Sequence, residues 1–253
     1  MAERRSWTRD ELLVAFNLYC RTPFGRLHRS NPDIVELASR LGRTPSSAAM
    51  KLCNFASLDP ALQARGIKGL SGASRQDQEI FAEFAADWAR LASESEEARE
   101  RLGLATAEVE APAAPADRPT EATATVKVRR LQSLFRVTVL ASYDYTCAIS
   151  GICVPQLLQA SHIVPWAVDE SRRLDPRNGL ALSALHDRAF DRGLITLDDD
   201  LRVVVSGRLR TGAPSDIHRA ALLEIEGQAI RHPTRWAPDP EALAWHREHV
   251  FAA

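Results

Sequence analysis

Residues 143–197 read YDYTCAISGICVPQLLQASHIVPWAVDESRRLDPRNGLALSALHDRAFDRGLITL, and they are the most informative part of the C-terminal half of the chain. Three polar residues, His162, Asn178 and His186, stand among apolar neighbours at separations of 16 and 8 positions. Histidine titrates near neutral pH and is a common metal ligand, so two histidines this close indicate chemistry as well as packing. Taken singly, each of the three is equally compatible with a hydrogen-bonded core residue or a turn.

The apolar runs around these residues predict a compact unit of two strands and a helix. Short apolar runs bounded by turn residues are typical of strands, and a polar residue before a periodic run is typical of a helix start. The predicted order is a strand at 157–163, a loop at 165–177, a strand at 179–182 and a helix at 183–191. One histidine then lies on the first strand and the other lies near the start of the helix.

This arrangement resembles the HNH endonuclease family, whose ββα-metal motif has the same order of elements and the same three residue types. The similarity extends to whole phrases: CAISG, ASHIVPW, NGLALSALHDRAFDRG and LAWHREHVF. These phrases are similar to the HNH subgroup found in predicted bacterial restriction endonucleases, over about residues 127–253. The run at 7–60 also resembles the leading domain that accompanies such nuclease domains.

The resemblance implies hydrolysis of phosphodiester bonds in double-stranded DNA with one divalent metal ion. By the family pattern, His162 is the general base that takes a proton from water, and His186 is a metal ligand. Asn178 closes the loop and orients the site, through hydrogen bonds to the backbone beside His162. The expected ion is Mg²⁺ or Mn²⁺, with Ni²⁺ or Co²⁺ as further options.

One position departs from the family pattern. Many HNH motifs have Asp immediately before the first histidine as the second metal ligand, and here that residue is Ser161. A hydroxyl is a poorer ligand than a carboxylate for a hard cation. Either His186 holds the metal with more water and phosphate oxygens, or a carboxylate substitutes. Asp187 and Asp191 lie nearest in sequence, although Asp191 is equally suited to ending its helix.

Other polar groups in this half are weaker candidates. Cys147 and Cys153 could bind zinc with one of the two histidines, but a structural zinc site normally shows a second close pair. We expect Cys147 to pack beside the motif instead. The segment PDPEALAWHREHVF predicts a terminal helix with His246 and His249 at its surface. The acidic run at 198–200 is typical of a solvated turn.

The N-terminal part predicts helices with clear start signals. Thr8 is expected to cap a helix at 9–19, Asn31 a helix that begins at Pro32, and Thr44 a helix through about Phe55. The second and third helices have the outline of a helix-turn-helix, with Gly42 in the turn. Four residues of the third helix are then available to DNA: Ser46, Ser47, Lys51 and Asn54. A helical bundle with a polar face explains the same pattern. A further helix is expected at 74–102.

Residues 105–125, ATAEVEAPAAPADRPTEATAT, have too few large apolar side chains to form a core and predict a flexible linker. The linker would separate a helical DNA-binding domain at 1–104 from an HNH nuclease domain at 126–253. The predicted fold class is therefore α+β: a helix-turn-helix-like domain, a linker and a ββα-metal domain.

The composition of the 253 residues, with 45% hydrophobic and 26% charged, is that of a globular protein. The formal net charge is −1, but residues 1–60 hold 9 Lys and Arg against 6 Asp and Glu, a local excess of +3. No apolar run approaches the roughly 18 residues that span a bilayer. We expect a cytoplasmic protein with reduced cysteines and no membrane partner, and the sequence leaves a homodimer open.

The sequence thus predicts a metal-dependent DNA endonuclease that acts in restriction or in defence against foreign or modified DNA. Two alternatives stay open. One is a homing or mobile-element nuclease. The other, prompted by Ser161, is a DNA-binding protein with a degenerate nuclease domain.

Overall fold

The computed structural model describes residues 5–67, 72–85, 87–104 and 119–252, with backbone only at 119–130. The chain divides into two compact units, Met1–Leu134 and Phe135–Ala253, which are described separately. Within these described ranges, no helix is long and apolar enough to cross a membrane. Most of the predicted linker, 105–118, lies outside the described residues. The rest of the predicted linker, residues 119–125, is helical and not a loop.

The first unit consists of helices. Their bounds are α1 Arg9–Arg21, α2 Pro32–Arg40, α3 Pro45–Leu58, α4 Pro60–Ala64, α5 Arg75–Phe84, α6 Trp88–Arg101 and α7 Pro119–Ser142, the last of which continues into the second unit. The three predicted caps are confirmed: the side chains of Thr8, Asn31 and Thr44 each accept a hydrogen bond from a backbone N–H of the first turn. Gly42 follows α2 with φ 63°, a conformation that favours glycine.

The single helix predicted at 74–102 is wrong, because the chain forms two helices there. The Asp87 side chain accepts a hydrogen bond from the Arg90 backbone N–H and so begins α6 as a new helix. The apolar stripe of this segment is nevertheless buried in full: Ile80, Phe81, Phe84, Trp88 and Leu91. One face of α3 is buried as well: Ala48, Ala49, Leu52 and Phe55.

The second unit has the predicted order of strands and helix. Its elements are β1 Leu158–His162, β2 Gly179–Ser183, α8 Ala184–Asp191, β3 Ile195–Leu197, β4 Val203–Val205, α9 Asp216–His218 and α10 Pro240–His249. β1 and β2 pair antiparallel with His162 opposite Gly179, and β3 and β4 form a second antiparallel pair. The fold class is α+β, as predicted.

Helix α7 packs against this first hairpin at Gly179. A Cβ atom added to Gly179 would lie 2.5 Å from a methyl group of Val139 and 2.9 Å from the ring of Phe135. Only a residue without a side chain therefore allows α7 to approach β2 so closely. The contact places Phe135 at the end of β1 where His162 lies.

One expectation for the terminal helix α10, the exposure of His246, is wrong. His246 was expected at the surface, but it is 1% exposed, and its ring stacks on Phe190 with centroids 3.7 Å apart. Its Nε2 donates to the Phe190 carbonyl oxygen at 3.1 Å, and Nδ1 lies 2.9 Å from the Thr196 hydroxyl. Burial lowers the pKa of His246 to about 4, so the ring is neutral at pH 7. His249 is exposed, as predicted.

Candidate active site

His162 ends β1 between two aromatic side chains. Its imidazole stacks on Phe135 with centroids 4.0 Å apart and an interplanar angle of 9°. Trp166 meets the ring at 5.7 Å and 86°, an edge-on contact. The plane of the imidazole is therefore set by neighbouring rings from α7 and from the loop after β1.

One nitrogen of His162 is occupied by the protein. Nε2 lies 3.0 Å from the carbonyl oxygen of Arg173, and since a carbonyl only accepts, Nε2 carries the proton. Burial lowers the pKa of His162, although the Arg173 carbonyl and the nearby Asp187 carboxylate act in the opposite direction. The ring is thus neutral at pH 7, with the Nδ1 lone pair available to accept a proton.

Asn178 ties the loop of the site to β1. Its Oδ1 accepts from the Val164 backbone N–H at 2.8 Å, and its Nδ2 donates to the Val164 carbonyl at 3.0 Å. Its own carbonyl accepts from the Ile163 N–H at 3.0 Å. The predicted hydrogen bonding of Asn178 to the backbone beside His162 is confirmed. With 2% of its surface exposed, Asn178 is held inside the protein by these bonds.

His186 lies on the inner side of α8 and uses both ring nitrogens. Nδ1 is 2.9 Å from the Ser183 hydroxyl and 3.7 Å from the Cys147 sulfur, and Nε2 donates to the Ala221 carbonyl at 2.9 Å. The ring is 2% exposed. Burial lowers the pKa of His186, but the contacts with Cys147 and Ala221 outweigh it and raise the pKa overall. The predicted metal ligand is therefore held by the protein with no free lone pair.

Cys147 packs beside the motif, as predicted. Its sulfur accepts backbone N–H bonds from Ser150 at 3.4 Å and Ser183 at 3.2 Å. Burial raises the pKa of this thiol, but the His186 contact and these N–H groups lower it to about 6. Cys147 and His186 therefore form an internal pair that fixes the start of α8.

The next residue on α8, Asp187, lies beside β1. The Ser161 hydroxyl lies beside its carboxylate and lowers the pKa of that carboxyl, as do the charges of Arg188, His162 and Arg136. Burial outweighs these effects and raises the pKa of Asp187. It also raises the pKa of Asp191, one turn further on, with repulsion from Asp187 as the second cause. The carboxylates of Asp187 and Asp191 thus lie on the same face of α8, and the charge of Asp187 acts on His162.

The donor set at this face suits a hard cation held by few protein ligands. Ser161 is 2% exposed, and its hydroxyl makes no hydrogen bond of normal geometry. Mg²⁺ is commonly bound by one or two carboxylates, with water and substrate phosphates completing its shell. Across the described residues, no group of three or more His, Cys, Asp or Glu side chains is arranged to hold a metal ion. The Asp187 carboxylate and the Ser161 hydroxyl beside it are oxygen donors of the kind that such an ion takes, and among the described residues Cys147 and Cys153 belong to no metal-holding group.

The side chains of α3 differ from the predicted DNA-binding face. Ser46 is exposed and Ser47 is half-buried. The expected exposure of Lys51 is wrong: the residue is 8% exposed, and its ammonium donates to both oxygens of buried Asp77 at 2.7 and 2.9 Å. Asn54 donates to the Gly72 carbonyl at 3.2 Å. Since Lys51 is the one charged residue in the α3 sequence, this face lacks a cation.

A comparison with protein-family models matches residues 147–198 to an HNH endonuclease family, HNH_2. The match begins at Cys147 and includes β1, β2, α8 and β3, and with them His162, Asn178, His186 and the two aspartates of α8. A search of curated proteins finds no match. Residues 147–198 therefore match an HNH endonuclease domain, the segment that holds His162, Asn178 and His186.

Proposed function

We propose that this protein is a metal-dependent endonuclease that hydrolyses phosphodiester bonds in double-stranded DNA, with His162 as the general base. The observation that carries the proposal is the environment of His162. The ring is neutral, its Nε2 is committed to the Arg173 carbonyl, and the Asp187 carboxylate lies close enough to act on its charge. A water beside Nδ1 can lose its proton to the ring as it attacks phosphorus.

The metal site is best supported on α8, at Asp187 and Asp191, with the Ser161 hydroxyl beside them. A divalent ion bound there would neutralise charge on the scissile phosphate and on the departing oxygen. His186 then has a structural role, because its nitrogens bond Ser183 and the Ala221 carbonyl. Asn178 holds the backbone at Val164 and so fixes the position of His162 at the end of β1.

A plasmid-nicking assay with Mg²⁺ or Mn²⁺ tests the proposal. The wild-type chain should convert supercoiled DNA to nicked and linear forms, and His162→Ala should lower the rate by about 10²- to 10⁴-fold. His249→Ala is the matched control, because it removes an exposed histidine of the same unit. A chain that binds DNA but never nicks it, with either ion, would favour the alternative of a DNA-binding protein with a degenerate nuclease domain.

The first unit is proposed to bind DNA through the helix-turn-helix outline of α2 and α3, with contacts from Ser46, Ser47 and Asn54. The local charge excess of residues 1–60 supports this. In the full chain, Ser46→Glu should weaken DNA binding at low salt, measured by gel shift. Gln76→Glu, which adds the same charge on exposed α5, is the control and should leave the affinity unchanged. Equal affinities for all three proteins would contradict the proposal.

The biological setting is proposed to be restriction or defence, with homing or mobile-element cleavage as the alternative. Support comes from the phrases shared with predicted restriction endonucleases. Digestion of methylated, hydroxymethylated and unmodified DNA side by side, followed by sequencing of the ends, distinguishes the two. Cleavage at one long, rare site whatever the modification would favour the homing nuclease.

A further inference from the structure

Phe135 belongs to no motif in the chain, yet it makes the closest ring contact to the proposed general base. It lies on α7, outside the segment that the family model matches. It is 2% exposed, and its ring is parallel to the His162 imidazole at 4.0 Å. The same ring lies against Gly179, opposite His162 across the hairpin. Phe135 is therefore held between β2 and the imidazole.

Besides the edge contact of Trp166, two constraints act on His162, and they are different in kind. The hydrogen bond from Nε2 to the Arg173 carbonyl sets the direction in which that nitrogen points, but the ring can still tilt about this bond. The stack with Phe135 sets the plane of the ring. Only both together aim the lone pair of Nδ1 at one place. Arg173 is itself positioned by a hydrogen bond from its Nε to the Trp166 carbonyl at 2.7 Å.

We propose that Phe135 is a positioning residue for the reaction, which fixes the plane of the His162 imidazole so that Nδ1 faces the attacking water. This inference rests on the proposed function, since it assigns a partner to the proposed general base. Replacement of the ring should leave substrate binding unchanged and slow the chemical step, because a misplaced base lowers the rate and not the affinity.

The test compares Phe135→Leu and Phe135→Met, which keep apolar volume without a ring, with Val139→Ala. Val139 packs on Gly179 from the same face of α7, so its truncation disturbs the same contact without touching the stack. In steady-state cleavage assays, both Phe135 variants should lose about 10- to 100-fold in kcat with KM within about twofold. Val139→Ala should keep kcat within about twofold.

Ring ¹H–¹⁵N spectra of histidine provide a measurement that needs no activity. The His162 signal is identified by its loss in His162→Ala. The wild type should show one neutral tautomer with the proton on Nε2 and slow exchange of that proton with water. Phe135→Leu should show fast exchange or mixed tautomers, and Val139→Ala should match the wild type.

The outcomes separate this inference from the proposed function. A wild type that fails to cut DNA refutes the function, while the spectra still test the role of Phe135. Wild-type kcat in folded Phe135→Leu or Phe135→Met overturns the inference. An equal loss in Val139→Ala, or a wild-type His162 protonated on Nδ1, also overturns it.

Discussion

His186 offers the sharpest test of how this site is built, because its structural and metal-binding roles predict opposite results. In the structure its ring bonds Ser183 and the Ala221 carbonyl within a buried setting. His186→Ala removes both hydrogen bonds, at about 1 kcal/mol each, and leaves the Ala221 oxygen unpaired, at about 1 to 3 kcal/mol. With the cavity left by the ring, the expected loss is about 3 to 5 kcal/mol of unfolding free energy.

The affinity for a metal ion should not respond to this substitution. Mn²⁺ binding, followed by electron paramagnetic resonance on folded protein, should stay within about twofold of wild type in His186→Ala. Asp187→Asn should weaken it by at least about tenfold, since a carboxylate ligand is lost. His186→Gln, which can keep a donor for the Ala221 carbonyl, is the fallback if the alanine variant does not fold.

Urea denaturation and the Mn²⁺ titration together decide between the two roles. His249→Ala, at an exposed position, should change the stability by less than about 0.5 kcal/mol. If His186→Ala were as stable as this control and had lost Mn²⁺ affinity about tenfold, His186 would be a ligand and the structural assignment would be wrong.

Three further predictions concern buried polar groups. Lys51→Met should destabilise the chain by about 3 to 5 kcal/mol in urea, because Asp77 is left as an unpaired buried charge, and should leave DNA affinity intact in a gel shift. Asn178→Ala, which frees the Val164 N–H and carbonyl, should cost about 2 to 4 kcal/mol and lower kcat without changing Mn²⁺ affinity. His246 should make stability fall as the pH drops from about 6.5 toward 4, because its folded pKa is about 4 and the unfolded chain binds more protons in that range. The contribution, complete above pH 6.5, is about 3 kcal/mol, and urea denaturation at both pH values should show it in the wild type and not in His246→Gln.

Local signals in the sequence predicted the elements that depend on local chemistry. Thr8, Asn31 and Thr44 cap their helices through bonds to residues two or three positions away, so the pattern alone is sufficient. The same holds for β1, β2 and α8 around Ser183, which accepts the His186 N–H. Helix α7 was not predicted, because its first half lacks an apolar stripe and its second half is ordered by contacts with the hairpin.

The predictions for Lys51 and His246 were wrong because the partners of these two residues lie far away in the sequence. Lys51 was expected to be exposed because it is charged, and its burial follows from Asp77, 26 positions away. His246 lies on a terminal helix with polar neighbours, yet it is buried because Phe190 and Thr196 offer a ring face, a carbonyl and a hydroxyl. A histidine can satisfy such partners with both nitrogens, and nothing in its own segment reveals that they exist.

The choice between His186 and Asp187 shows where motif spacing stops being informative. Adjacent residues on an α-helix point about 100° apart. A spacing of 8 positions from Asn178 therefore predicts which turn of α8 holds the functional residue, but not which way its side chain points. The direction is set by tertiary contacts: Ala189 and Phe190 are buried in the core, and His186 bonds Ala221 from the same inner side. The orientation of α8 that results leaves Asp187 on the side of Ser161 and His162. Asp191 follows one turn later on the same face of the helix. This is why we propose that His186 keeps α8 in place and that the neighbouring aspartates, Asp187 and Asp191, supply the charge for the reaction.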